Sequence, residues 1–84
     1  MADGNFPYTR FDTGAPDELT NPPNDRCIPL PGGATHAGND TDATAVVYAD
    51  DSCTQPLELV GVGATWDATG PPVLPARGVR FGSS

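Results

Sequence analysis

Prolines and glycines interrupt this chain at short intervals, and their spacing constrains the fold more than any other feature. The sequence holds 10 Gly and 10 Pro among 84 residues. No stretch between them shows the apolar period of a helix of useful length. Short β-branched and aromatic segments lie between the breaks, most of them after Cys27. Several short strands separated by turn signals predict an all-β domain such as a small sandwich.

Four segments alternate as strands do, namely residues 26–30, 44–49, 57–62 and 78–81. Pro29 limits the first of them to a sheet edge, because proline has no N–H for the ladder. In the third we expect Leu57 and Leu59 to face the core. In the fourth we expect Val79 and Phe81 to do so.

Residues 1–25 lack a periodic apolar face and contain several X-Pro pairs, which favour extended backbone. We therefore predict an extended or disordered Pro-rich arm over residues 1–25, followed by a disulfide-closed β domain over residues 26–84. One alternative stays open for the arm. Phe6, Tyr8 and Phe11 cluster around Arg10, and such aromatic and arginine side chains suit an interface that anchors a partner.

The two cysteines, Cys27 and Cys53, predict one disulfide, with two buried free thiols as the alternative. A bond between them closes a loop of about 26 residues, which the chain-entropy model values at roughly 3.5 kcal/mol. That is a large share of the stability of so small a domain. Two isolated cysteines in a chain with a thin core also favour an exported, extracellular protein.

The charge excludes two classes of partner. The net charge is −7, and residues 27–84 carry six carboxylates against only Arg77 and Arg80. Nucleic-acid binding needs a cationic face that displaces counterions from phosphate, and anionic membrane surfaces attract basic segments. We expect neither partner, and no run approaches the roughly 20 apolar residues of a membrane span.

Few residues of this chain are suited to catalysis or metal binding. We therefore expect that the protein is not an enzyme and has neither a cofactor nor a metal site. His36 is the only histidine and lies in a glycine-rich stretch that resembles a flexible loop, where it suits a partner contact better than a catalytic triad. Asn39, Asp40 and Asp42 offer oxygen ligands with Asp51 but no EF-hand pattern, and a solvated acidic turn is the default. Residues 39–41 also match the N-glycosylation sequon, to which we assign no role.

One group of residues resembles a known family. Residues 48–53 (Tyr-Ala-Asp-Asp-Ser-Cys), 57–59 (Leu-Glu-Leu), Trp66 and 78–81 (Gly-Val-Arg-Phe) look like one Greek-key motif of the βγ-crystallin superfamily. The likeness is to small secreted actinobacterial members related to the Streptomyces metalloproteinase inhibitor, which tend to carry a Cys before an Asn-rich hairpin, here Cys27 and Asn39. The resemblance covers residues 26–82 and implies a Greek-key β-sandwich of two small sheets, secretion and a binding role. Residues 73–78 lack the oxygen ligands of calcium-binding members, so it implies no calcium site.

These observations predict a secreted, non-catalytic domain that binds a protein, with inhibition of an extracellular peptidase as the specific function that the resemblance implies. The loops at residues 29–38 and 64–75 are the candidate binding loops. Trp66 either fills the end of the core or serves as an exposed anchor. The rival function is structural, for instance a virion decoration protein that uses residues 1–25 for assembly. The identity of the partner and the oligomeric state do not follow from the sequence.

Overall fold

The residues that the structure describes form eight β-strands, and the expectation of an all-β domain is confirmed. The computed structural model describes residues 1–82, so the last two residues of the predicted 26–84 domain lie outside the described residues. None of the described residues belongs to a helix, and so no helix among them is long and apolar enough to cross a membrane. The strands are β1 (Gly4–Arg10), β2 (Pro16–Thr20), β3 (Cys27–Gly38), β4 (Asp40–Thr41), β5 (Ala45–Tyr48), β6 (Pro56–Val60), β7 (Thr65–Asp67) and β8 (Ala76–Phe81).

The eight strands form one antiparallel sheet instead of the two small sheets that the resemblance implied. Its order is β2-β1-β3-β8-β5-β6, while β4 also pairs with β1 and β7 pairs with β3. The first residues of β3, Cys27 to Pro29, pair with β8, whereas its last residues pair with β1 on one side and β7 on the other. The Greek-key, crystallin-like connectivity stays a prediction.

The long strand β3 bends, and this bend folds the sheet over its own core. Its register with β8 shifts between Pro29 and Ala34, and Gly32 and Gly33 in that stretch have φ of 76° and 74°, a conformation that glycine adopts without steric cost. The rings of Phe6 in β1 and Phe81 in β8 pack edge to face with centroids 5.1 Å apart. In a flat sheet these strands, with β3 between them, would lie about 10 Å apart.

Residues 1–25 are part of this sheet, which differs from the predicted separate arm. Strand β1 pairs with β2, β3 and β4. Ala2, Phe6 and Tyr8 lie in the core with at most 3% of their surface exposed. The alternation of Phe6 and Tyr8 with exposed Asn5 and Pro7 is a strand period, too short and too interrupted by proline to stand out in the sequence. Strand β1 thus pairs with β3 and β4 of the predicted 26–84 domain.

The predicted core face is confirmed in β8 and only in part in β6. Val79 and Phe81 are buried as expected. In β6 Leu57 is partly buried and packs against the core, as expected, whereas Leu59 is 63% exposed and Val60, at 1% exposure, is buried in its place. The pairing of β5 with β6 shifts at a bulge between Val47 and Tyr48. Leu59 and Val60, which follow this bulge, lie on the faces opposite to those expected, and the sequence pattern did not reveal the bulge.

The predicted disulfide joins Cys27 to Cys53. It links the start of β3 to the turn between β5 and β6, and so reaches across β8, which lies between β3 and β5. Gly78 of β8 lies directly beneath this turn. A Cβ atom at Gly78 would meet the carbonyl oxygen of Asp50 at 2.7 Å and the Cys53 sulfur at 3.1 Å. The cross-link and the close approach at Gly78 therefore hold one region of the fold together.

Replacing both Cys27 and Cys53 by serine should lower the free energy of unfolding by about 3.5 kcal/mol, because the unfolded chain regains the freedom that the bond removes. Urea unfolding of the oxidised protein and of the double variant measures the difference. Equal unfolding midpoints would show that the bond is dispensable.

Gly78→Ala should destabilise the domain by about 1–3 kcal/mol, since the turn at Asp50 must move to admit the methyl group. Gly61→Ala is the matched control, because a Cβ there meets no atom within 4 Å and is expected to change stability by less than about 1 kcal/mol. Thermal unfolding of the two variants compares them, and equal losses would contradict the close approach at Gly78.

Candidate functional site

The predicted aromatic and arginine cluster is divided by the structure between the core and the surface. Phe6 is fully buried and Tyr8 is 3% exposed, so neither ring is available to a partner as an anchor. Arg10 is held by Asp12 and Asp17 on its own hairpin. Only Phe11 is exposed, at 45%. The prediction of a single recognition cluster is therefore wrong, because strand alternation turns Phe6 and Tyr8 inward.

Tyr8, Asp17 and Arg10 form a hydrogen-bonded network. The Tyr8 hydroxyl donates to Asp17 at 3.2 Å, and Arg10 donates to the same carboxylate at 3.3 Å. Burial, and then the charge of Asp17, raise the pKa of Tyr8 to about 12. The backbone N–H of Glu18 lowers the pKa of Asp17, and the Tyr8 and Arg10 hydrogen bonds lower it further. The network stabilises the pairing of β1 with β2.

His36 belongs to β3, and the expectation that it lies in a flexible loop is wrong. It stands opposite Thr9 of β1 and Asp67 of β7, and its Nδ1 lies 2.6 Å from an Asp67 carboxylate oxygen. The side chain of His36 is about half exposed. A partner can therefore reach the imidazole, which Asp67 orients.

Trp66, the neighbour of Asp67 in β7, is 6% exposed and packs in the core. The expectation that it fills the core is confirmed, and the alternative of an exposed anchor is wrong. The indole is held inside because β7 pairs with β3 at this point, with Trp66 opposite Ala37.

A groove crosses the outer face of β2, β1, β3 and β7, and it brings together residues that are far apart in the sequence. One row across the four strands is Pro16, Thr9, His36 and Asp67. Gly38 forms the floor of the next row, where a Cβ would lie 3.9 Å from both Pro7 and Thr65.

This groove has a volume of about 330 Å³. Its lining residues are Pro7, Tyr8, Thr9, Pro16, Asp17, His36, Gly38, Asp40 and Thr65. None of these described residues is a serine or cysteine nucleophile placed beside His36. The hydroxyl groups in its lining are those of Tyr8, Thr9 and Thr65.

A second exposed surface lies where β1 ends and where the chain leads into β8. We use the name loop patch for the exposed apolar residues of the two segments that meet beside Gly33, namely Phe11, Val73 and Leu74, which are 45%, 48% and 53% exposed. Phe11 donates its backbone N–H to Gly33, and a Cβ on Gly33 would lie 3.4 Å from Phe11 and 3.2 Å from Pro75. The candidate loop at 64–75 thus contributes residues 73–75, whereas most of the one at 29–38 is strand.

Asn39 is a structural residue whose role the sequence did not reveal. It is fully buried, and its Nδ2 donates to the carbonyls of Ala43 and Val60 at 2.8 and 2.9 Å. Its Oδ1 accepts from the N–H and hydroxyl of Thr41. Both Nδ2 hydrogens are used, so a glycan on this sequon is incompatible with the folded structure.

Two of the acidic loop residues accept hydrogen bonds from backbone N–H groups. Asp42 accepts from the backbone N–H of Asp3, and Asp50 accepts from the N–H groups of Thr54 and Gln55 in the turn before β6. Among residues 1–82, no group of three His, Cys, Asp or Glu side chains is arranged to hold a metal ion.

Comparison of this chain with protein families, with curated proteins and with solved structures finds no match. These comparisons neither support nor oppose the resemblance to βγ-crystallins.

Tyr8 should ionise near pH 12, about two units above an ordinary tyrosine, because burial and Asp17 disfavour the phenolate. The neutral phenol is favoured in the folded state, so this contribution to stability is complete below about pH 10 and is lost as the pH rises through 12. Ultraviolet titration of the protein and of Tyr8→Phe isolates the Tyr8 transition by difference. A difference transition near pH 10 would contradict the assignment.

Proposed function

We propose that this chain is a secreted, non-catalytic protein-binding domain that docks on its partner through the loop patch. The observation that carries the proposal is the exposure of Phe11, Val73 and Leu74 on two chain segments that meet beside Gly33. The other exposed large apolar residues among those described, Met1, Leu59 and Val62, belong to other segments. Neighbouring exposed apolar side chains are typical of protein interaction sites.

The backbone of the loop patch is held in place before any partner arrives. Phe11 and Asp12 donate their N–H groups to Gly33 and Gly32, and Leu74 donates its N–H to Thr69. Ordering that exists before binding reduces the entropic cost of association, and this allows a small surface to bind with useful affinity. Inhibition of an extracellular peptidase is the specific activity of this kind that the family resemblance implies.

A structural or virion decoration role through residues 1–25 is the rival function. Such an arm must leave its own domain to contact neighbouring subunits. Phe6 and Tyr8 are buried in this domain and β1 is paired on both sides, which favours a domain that retains these residues. Deletion of residues 1–25 removes two strands and core side chains, so it does not discriminate between the functions.

The matched substitutions Leu74→Asp and Val62→Asp test the loop patch. Both replace an exposed apolar side chain by a carboxylate, and Val62, at 59% exposure, lies in the turn between β6 and β7. We expect Leu74→Asp to weaken inhibition of a susceptible secreted peptidase at least tenfold, because a desolvated carboxylate is costly in an apolar contact. Val62→Asp should leave inhibition unchanged.

Residual activity of a panel of secreted metallo- and serine peptidases, measured against increasing concentrations of the folded protein, gives the inhibition constants. Absence of inhibition across the panel would contradict the peptidase-inhibitor proposal. Equal inhibition by wild type and both variants would move the binding site away from the loop patch.

A further inference from the structure

The groove on the outer face of β2, β1, β3 and β7 has a shape that its residues explain. Pro7 and Thr65 stand on either side of Gly38, and the missing side chain of Gly38 leaves the depression between them. Pro16 and His36 continue the wall in the adjacent row. The walls are thus mainly proline rings and methyl groups, which pack well against the methylene stem of a long side chain.

The rim of the groove is acidic. Glu18 is opposite Pro7 on β2, Asp40 follows Gly38 by two residues and lines the groove, and Asp67 flanks His36. The nearby cation, Arg10, is held by Asp12 and Asp17, so it does not offset these rim carboxylates. A concave apolar surface bordered by carboxylates complements a cationic head on an apolar stem.

We propose that this groove binds a basic side chain, lysine or arginine, of an extended peptide segment in a partner protein. The stem of the basic residue lies between Pro7 and Thr65 above Gly38, and its charged head reaches the carboxylates of Glu18 and Asp40. The occupant is inferred from charge complementarity and from the shape of the groove. This site is separate from the loop patch and has its own ligand chemistry.

A fluorescein-labelled peptide of alternating arginine and glycine, with a glutamine-for-arginine peptide as control, tests the proposal by fluorescence anisotropy. The wild-type protein should bind the arginine peptide, with an affinity that falls as salt is added, and should not bind the glutamine peptide. Absence of binding up to millimolar protein, or equal binding of the two peptides, would overturn the proposal.

Two matched double variants separate the groove from the net charge of the protein. Glu18→Gln with Asp40→Asn neutralises the rim, while Glu58→Gln with Asp51→Asn removes the same two charges from exposed positions elsewhere. We expect the rim variant to weaken peptide binding at least tenfold and the other to change it less than about twofold. Equal losses would show that binding follows overall charge, which contradicts a specific groove.

Gly38→Val provides a test that changes no charge. The added side chain fills the floor of the groove and should abolish peptide binding while the circular dichroism spectrum stays that of the wild type. If Gly38→Val proves unfolded, Gly38→Ala, whose methyl group makes only ordinary contacts, should still weaken binding. Undiminished binding by a folded Gly38 variant would refute the proposed placement of the stem.

Leu74→Asp should bind the arginine peptide as well as the wild type does, because the loop patch is not part of the groove. Failure of the groove experiments would leave the proposed role of the loop patch untouched. Loss of peptide binding in Leu74→Asp would contradict the separation of the two sites.

Discussion

The hydrogen bonds of buried Asn39 close the sheet over its core, and the rest of the fold depends on this closure. Asn39 lies between β3 and β4, yet its amide donates to Val60 in β6, the strand at the far end of the sheet order. In a flat sheet β3 and β6 would be about 14 Å apart. The Asn39 backbone also bonds to Gly63 and Ala64 in the turn that leads from β6 to β7. The chain thereby returns from the far edge of the sheet to pair with β3.

This closure explains how a chain so rich in glycine and proline can maintain a core. The bend of β3 brings Phe6 against Phe81, and the return of β7 covers Trp66. The disulfide secures the opposite region, where the β5–β6 turn lies over Gly78. The two candidate binding surfaces follow from the same framework. The groove lies on the outer face of β2, β1, β3 and β7. The loop patch lies beside the bend of β3 at Gly33.

The sequence predicts those strands in which the local alternation of apolar and polar residues matches the buried and exposed faces of the folded sheet. The clear alternation in β5 and β8 and the pair of cysteines lead correctly to two core strands and one disulfide. Strands β1 and β2 were not predicted, because Pro7 and Pro16 interrupt a short alternation and their stability comes from pairing with β3. Leu59 and Val60 were assigned to the wrong faces because the bulge at Leu57, within β6 itself, has no sequence signal. Tyr8 and His36 could be selected as candidates, but the groove between them exists only through the pairing of distant strands.

Asn39 was not recognised as a structural residue because an asparagine among aspartates has the composition of a solvated turn. Its buried position depends on carbonyls supplied by distant Val60 and nearby Ala43. Equilibrium unfolding of Asn39→Asp tests the closure most directly, since this isosteric change removes both donors and buries a carboxylate. Asn5→Asp, on the exposed face of β1, adds the same charge as a control. We predict a loss of at least about 3 kcal/mol for Asn39→Asp and about 0.5 kcal/mol or less for Asn5→Asp, and equal stabilities of the two variants would contradict the account.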